Sequence, residues 1–150
     1  MRSIAFLVIA SCIVGGKTKS SDEECPSSSV GELHFEAKGH HVLLDVFEAD
    51  ERLLDDENKM RRVAIDIVEN AGMEMLSIHS HKLMPQGVSV VVALKESHLS
   101  IHTWPEHGTA LADVFTCGNT NVSDVSNRFV NLLGGSVEKS SISIVRRGMW

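Results

Sequence analysis

Three side chains suited to covalent or proton-transfer chemistry stand close together in this chain. In "KESHLSIHTWPEHG", Lys95 to Gly108, Ser97 follows Glu96, and His102 comes five residues later. Cys117, in "DVFTCG", lies twenty residues beyond Ser97. A serine hydroxyl needs a base to become a nucleophile, and a neutral imidazole supplies one near neutral pH. That pairing describes a Ser–His hydrolase. The strained G-x-S-x-G turn that presents such a serine is absent, and no glycine-rich helix start follows Ser97. The Ser-x4-His spacing is common, and a polar edge strand accounts for it equally. Metal chemistry has less support. His79 and His81 alternate onto one strand face, as do His98 and His102, and such imidazole pairs bind zinc. No HExxH motif and no evident third ligand accompany them, so no metal is assigned.

The elements that must position these residues follow from hydrophobic period. Val88 to Leu94, "VSVVVAL", is a continuous apolar run and reads as a buried strand ending just before Glu96. "HHVLLDVFEA" (40–49), "MEMLSIHSHKL" (73–83), "SHLSIHTW" (97–104), "TALADVFTC" (109–117) and "VEKSSISIVRRG" (137–148) read as further strands. Met60, Val63, Ala64, Ile67, Val68 and Ala71 recur at three- and four-residue steps, which is one face of a helix. Asp55 or Asp56 supplies its N-terminal acceptor and Gly72 its left-handed stop. Val122, Val125, Phe129, Leu132 and Leu133 make a second helical face, closed by Gly134.

The order is therefore β-α-β-β-β-β-α-β. The turn from Leu94 to Ser97 is too short for a parallel crossover, so those strands pair antiparallel. Two helices can cover only one face of such a sheet. The expected fold class is α+β, a two-layer sandwich of a mainly antiparallel sheet with two helices on one face. "VSVVVAL" and "HVLLDVF" are apolar on both strand faces, so a homodimer packed sheet to sheet is expected. Gly87 reads as a turn or close-approach position, and Pro105 stiffens the loop after Trp104.

Composition narrows the class. With 150 residues and 43% hydrophobic content the chain holds one sizeable domain. Net charge is −6, from 14 basic and 20 acidic residues, with no basic cluster and no tyrosine, so nucleic acid is not an expected partner. Cys12, Cys25 and Cys117 show no CxxC spacing and no disulfide framework; a Cys25–Cys117 bridge stays open. "MRSIAFLVIASC" resembles a secretory signal, and "IASC" a lipoprotein cleavage site at Cys12, while its apolar run is too short to span a bilayer. Residues 1–30 are thus expected to be a signal- or lipoprotein-like segment and a serine-rich linker. Residues 31–150 are expected to be the folded domain, with no membrane contact of its own.

"ESHLSIHTWPEHG" and "DVFTCG", with "HKLMPQGVS" (81–89) upstream and "GHHVLLDVFEADERLLDDE" at the start, closely resemble the prokaryotic S-adenosylmethionine decarboxylase proenzymes. The likeness runs in order over roughly residues 38 to 147. It implies a lyase that makes a covalent pyruvoyl cofactor from its own serine. By that likeness the Glu96–Ser97 peptide cleaves itself, giving chains 1–96 and 97–150, with Ser97 converted to the pyruvoyl. Ser89 matches a serine that assists processing, His102 the processing histidine, and Cys117 the acid that protonates the product carbon. Glu106 corresponds to a carboxylate that binds the substrate ribose, and Leu83 to the position that meets the adenine. The reaction implied is Schiff-base formation with S-adenosylmethionine, loss of CO2, and release of the aminopropyl donor for spermidine. Such a role implies the cytoplasm, whereas the signal-like segment points to export.

The pattern departs from the family around the substrate. Leu83 stands where many relatives carry phenylalanine, Met84 replaces an acidic residue and His107 a tyrosine. Leucine offers apolar area without an aromatic face. A pyruvoyl-dependent arginine or ornithine decarboxylase is therefore the alternative, since a small amino acid needs no stacking ring. An inactive binding or regulatory homologue is the other; the presence of Ser89, Ser97, His102 and Cys117 together argues against it.

Overall fold

The computed structural model describes residues 37–117 and 120–149. The signal-like segment, the linker, Cys12 and Cys25 lie outside the described residues. In chain order the elements are β1 (Lys38–Val46), α1 (Glu51–Leu54), α2 (Glu57–Asn70), β2 (Met75–Lys82), β3 (Val88–Leu94), β4 (Ser97–Trp104), a 3-10 turn (Pro105–His107), β5 (Thr109–Thr116), α3 (Val122–Leu133) and β6 (Ser141–Gly148). The strands form one sheet in the order β2-β3-β4-β5-β1-β6, and every neighbouring pair is antiparallel. The two long helices pack against it, α2 on β2, β3 and β4, and α3 on β1. The fold is the expected α+β sandwich.

Strand alternation separates the two faces of this sheet. Val88, Val90, Val92 and Leu94 of β3, Leu99 and Ile101 of β4, Ala110, Ala112 and Val114 of β5, and Val42, Leu44 and Val46 of β1 are buried. They form the core with Met60, Ala64 and Ile67 of α2 and Val125, Phe129 and Leu133 of α3. The alternate positions form the open face: Ser89 and Val91 on β3, His98, Ser100 and His102 on β4, Leu111, Asp113 and Phe115 on β5, and His41 and Leu43 on β1. On it Leu43, Val91 and Leu111 stay 40%, 45% and 38% exposed.

Besides shifts of up to three residues at the ends of β1 and β2, two features differ from the sequence reading. α1 is an additional one-turn helix, too short to show a period. Asp50 caps it by accepting the amide protons of Arg52 and Leu53, and Leu54 is buried beneath it. β6 starts at Ser141 rather than near Val137, because Ser140 turns back to bond the Ser136 carbonyl through both its amide and its hydroxyl.

Thr103 joins α1 to the sheet from within the core. Its hydroxyl donates to the Leu54 carbonyl at 2.8 Å and accepts the Val88 amide proton at 2.7 Å. Gly87 has φ +100°, and a Cβ there would stand 2.8 Å from the Thr103 carbonyl oxygen. Only glycine combines that backbone angle with that approach.

Candidate active site

A two-residue turn, Lys95-Glu96, joins β3 to β4 and pairs Leu94 with Ser97. Ser97 has φ +155°, a region side-chain-bearing residues rarely adopt. Such a residue costs on the order of 1–3 kcal/mol and persists only where its surroundings hold it. Here the surroundings are specific. The Lys95 amide donates to the Glu74 carbonyl at 2.9 Å, and the Lys95 ammonium reaches the Glu74 carboxylate at 2.7 Å. The Glu74 amide in turn donates to the Glu96 carboxylate at 3.1 Å. Sequence reasoning missed Glu74 and Lys95, because their contact bridges twenty-one positions without a motif.

On the other side of the turn lies Cys117. Its amide donates to the Glu96 carbonyl oxygen at 3.2 Å, and its Sγ stands 3.5 Å from the Ser97 hydroxyl. The thiol is free and half-buried. Ser97, the carbonyl of the peptide bond before it, and Cys117 therefore form one constellation at one end of the sheet.

Ser89 and His102 form a second constellation. They are register partners across β3 and β4, and the Ser89 Oγ lies 2.9 Å from His102 Nδ1. His102 is five residues along β4 from Ser97, and at about 3.4 Å per residue that is roughly 17 Å along the strand. Leu83 and Glu106 lie farther still, past the ends of β2 and β4. The Leu83 amide donates to the Gly87 carbonyl at 2.8 Å, and Glu106 accepts from the Gln86 amide group at 2.9 Å. Asp55 secures this loop by accepting from the Lys82 ammonium and from the Gly87 amide at 2.7 Å. Those two bonds, Lys82 first, hold its carboxyl below the usual carboxylate range. Within the chain, then, Ser97 and Cys117 are at one end of the sheet, while Ser89, His102, Leu83 and Glu106 lie toward the other.

A third group occupies the open face beside Ser97. His41 Nε2 and His98 Nε2 stand 3.1 and 3.2 Å from the same Asp113 oxygen, Oδ2, and the Ser100 hydroxyl donates to the other oxygen. Burial raises the Asp113 pKa, but the bonds from Ser100 and His41 and the charges of His98 and His41 outweigh it and leave the carboxyl below its ordinary value. Phe115 lies against both imidazoles. His79 and His81 are exposed on β2. His41 carried no signal in the sequence, since it meets Asp113 across seventy-two positions.

Residues 40–148 match the family model described as S-adenosylmethionine decarboxylase. The chain belongs to the S-adenosylmethionine decarboxylase family. The S-adenosylmethionine decarboxylase proenzyme of Caldanaerobacter subterraneus subsp. tengcongensis is 41% identical over 115 residues, 76% of this chain and 91% of that protein. The proenzyme of the same name from Clostridium tetani is 40% identical over 115 residues, 75% of this chain and 88% of that one. The crystal structure of the adenosylmethionine decarboxylase from Aquifex aeolicus superposes with a TM-score of 0.70 at 31% identity, covering 77% of this chain and 94% of that one. The strained serine, its clamped peptide carbonyl and the adjacent thiol thus sit in an S-adenosylmethionine decarboxylase family fold. Among the described residues no helix is long and apolar enough to cross a membrane.

Proposed function

We propose that this chain is a self-processing, pyruvoyl-dependent S-adenosylmethionine decarboxylase whose working unit is a two-fold dimer. The observation that carries the reading is the Glu96–Ser97 peptide, with φ +155° at Ser97 and its carbonyl oxygen 3.2 Å from the Cys117 amide. The family implies a pyruvoyl group, and the residues present suit its formation. The Ser97 hydroxyl adds to the Glu96 carbonyl, and the Cys117 amide stabilises the oxyanion as it develops. The peptide C–N bond then breaks, leaving an ester and a free α-amine. Removal of the Ser97 α-proton expels the Glu96 carboxylate as the new C-terminus of residues 1–96. The residual enamine tautomerises and hydrolyses, losing ammonia, to a ketone at residue 97. Strain at Ser97 assists the first step, because it is relieved as the peptide opens.

When formed, that group supplies a ketone that takes the substrate amine and accepts the electron pair freed as CO2 departs. The chain's own residues do the rest. The Cys117 thiol delivers a proton to the product carbon. The His102 imidazole, oriented by Ser89, removes the Ser97 α-proton during processing, and the Ser89 hydroxyl supports the cyclic intermediate. The Glu106 carboxylate accepts the ribose hydroxyls, and Leu83 gives the adenine an apolar surface.

Distance within the chain supports the dimer. A general base must come within about 3 Å of its proton, whereas His102 is five residues of extended chain from Ser97. A second copy placed antiparallel on the open face carries its Ser89, His102, Leu83 and Glu106 to the Ser97 end of the first. The exposed Leu43, Val91 and Leu111 supply the apolar contact such packing needs. The catalytic domain spans residues 31–150, with 1–30 as a separate leader and linker. We place its action in the cytoplasm, where the product serves spermidine synthesis; cell fractionation finding the cleaved protein only in an exported fraction would overturn that assignment.

Leu83 gives a specific reason to keep a second substrate reading, a pyruvoyl-dependent arginine or ornithine decarboxylase. Two measurements test both levels. Mass spectrometry of purified protein should show two fragments divided between residues 96 and 97, the second with a blocked N-terminus and reactive toward hydroxylamine. Release of CO2 should then be seen with S-adenosylmethionine and not with arginine or ornithine. Intact chain with full activity refutes the processing; turnover of an amino acid alone refutes the substrate.

A further inference from the structure

We propose that His41, His98 and Asp113 form a binding site for a divalent transition-metal ion of the zinc type on the open face of the sheet. Three strands deliver the three donors. β1 carries His41, β4 carries His98 and β5 carries Asp113, and the register places His41 and His98 both opposite Phe115. All three donor atoms lie within 4.8 Å of one another. Both imidazoles turn the same nitrogen, Nε2, toward one carboxylate oxygen, at 3.1 and 3.2 Å. Two ligands bonded to one zinc ion at about 2.0–2.1 Å stand roughly 3.3 Å apart at the tetrahedral angle. The two histidine–carboxylate separations match those of ligands sharing one ion, and closing the site draws together the two Nε2 atoms, which lie within 4.8 Å of each other.

The surroundings are those of a ligand set rather than of a simple ion pair. Ser100 holds the second carboxylate oxygen, which orients Asp113 and leaves Oδ2 to the two histidines. An outer hydroxyl on a ligating carboxylate is the usual support of a metal site. Two imidazoles and one carboxylate suit borderline cations such as zinc or cobalt(II), not calcium or magnesium, which take oxygen ligands. Three protein ligands leave the fourth position open. In the single chain His41, His98 and Asp113 are 20%, 44% and 25% exposed at their side chains, so an ion can reach them before a second copy packs on the open face. An ion bound here would fasten His98, the residue whose backbone nitrogen carries position 97, to β1 and β5.

The test needs no turnover. The uncleaved Ser97→Ala full-length chain, stripped with a chelator, is titrated with zinc against a chromophoric competitor, and with cobalt(II) by visible absorption. One ion per chain is expected. His41→Gln and His98→Gln should each abolish the cobalt band and weaken zinc at least tenfold. Ser100→Ala should weaken it by about tenfold, as for outer-shell partners elsewhere. His79→Ala/His81→Ala should change nothing, and circular dichroism shows which variants are folded. Absence of stoichiometric zinc in the parent chain, or unchanged affinity in folded His41→Gln and His98→Gln, overturns the site. Neither result bears on self-cleavage, which is read separately by mass.

Discussion

The separation of His102 from Ser97 makes a quantitative prediction about who processes whom. Five residues of β4 lie between them, about 17 Å of extended chain, and an imidazole must approach to roughly 3 Å to take a proton. If the working unit is the proposed dimer, the base for one serine belongs to the other chain. Consider two differently tagged copies, one Ser97→Ala and one His102→Ala. Each alone should remain uncut, the first lacking the nucleophile and the second the base. Co-expressed with free exchange, they assort at roughly 1:2:1, so about half of the His102→Ala chains find a partner that retains its imidazole. About half of those chains should therefore be cleaved after Glu96, and nearly all in heterodimers isolated through both tags. No Ser97→Ala chain should be cut. Such a heterodimer holds one complete site, so its decarboxylation should be about half that of the parent dimer. Mass spectrometry of the tagged fragments reads the outcome. Isolated heterodimers in which the His102→Ala chain stays intact would refute transfer across the interface. A His102→Ala homodimer that cleaves at the parent rate would refute the base itself.

Other expectations follow from the same geometry. Cys117→Ala keeps the amide that bonds the Glu96 carbonyl, so it should still process, while loss of the thiol lowers decarboxylation by about 10²–10⁴-fold; a variant that is uncut but folded would contradict this division of labour. Gly87→Ala places a Cβ 2.8 Å from the Thr103 carbonyl at φ +100°, and thermal melting should show a loss of more than about 1 kcal/mol. Asp55 and Asp66 are both held below the ordinary carboxylate range, chiefly by hydrogen bonds from Lys82 and Arg128. The unfolded chain therefore takes up protons first, and the stability these groups contribute is present above about pH 4 and is lost as pH falls further. Melting temperature should drop in that window, and Lys82→Met should make the drop shallower; an unchanged slope would count against the Asp55 contact.

The sequence by itself determined the fold class. The apolar run "VSVVVAL" and the three-to-four-residue recurrence from Met60 to Val68 are local patterns, and burial followed them in the structure. Ser97, His102 and Cys117 were singled out through the family resemblance that "ESHLSIHTWPEHG" and "DVFTCG" carry, not through spacing alone. Spacing does not say how far apart residues stand. Five positions are about 7.5 Å on a helix and about 17 Å on a strand, so only the fold could show that Ser97 meets Cys117 and not His102. Glu74 beside Lys95, and His41 beside Asp113, were likewise beyond reach, because the first pair meets where the ends of β2 and β3 come together and the second across strands far apart in sequence. Hydrophobic pattern decides which face of a strand is buried, while contacts between polar residues depend on which strands become neighbours, and that is a property of the whole sheet.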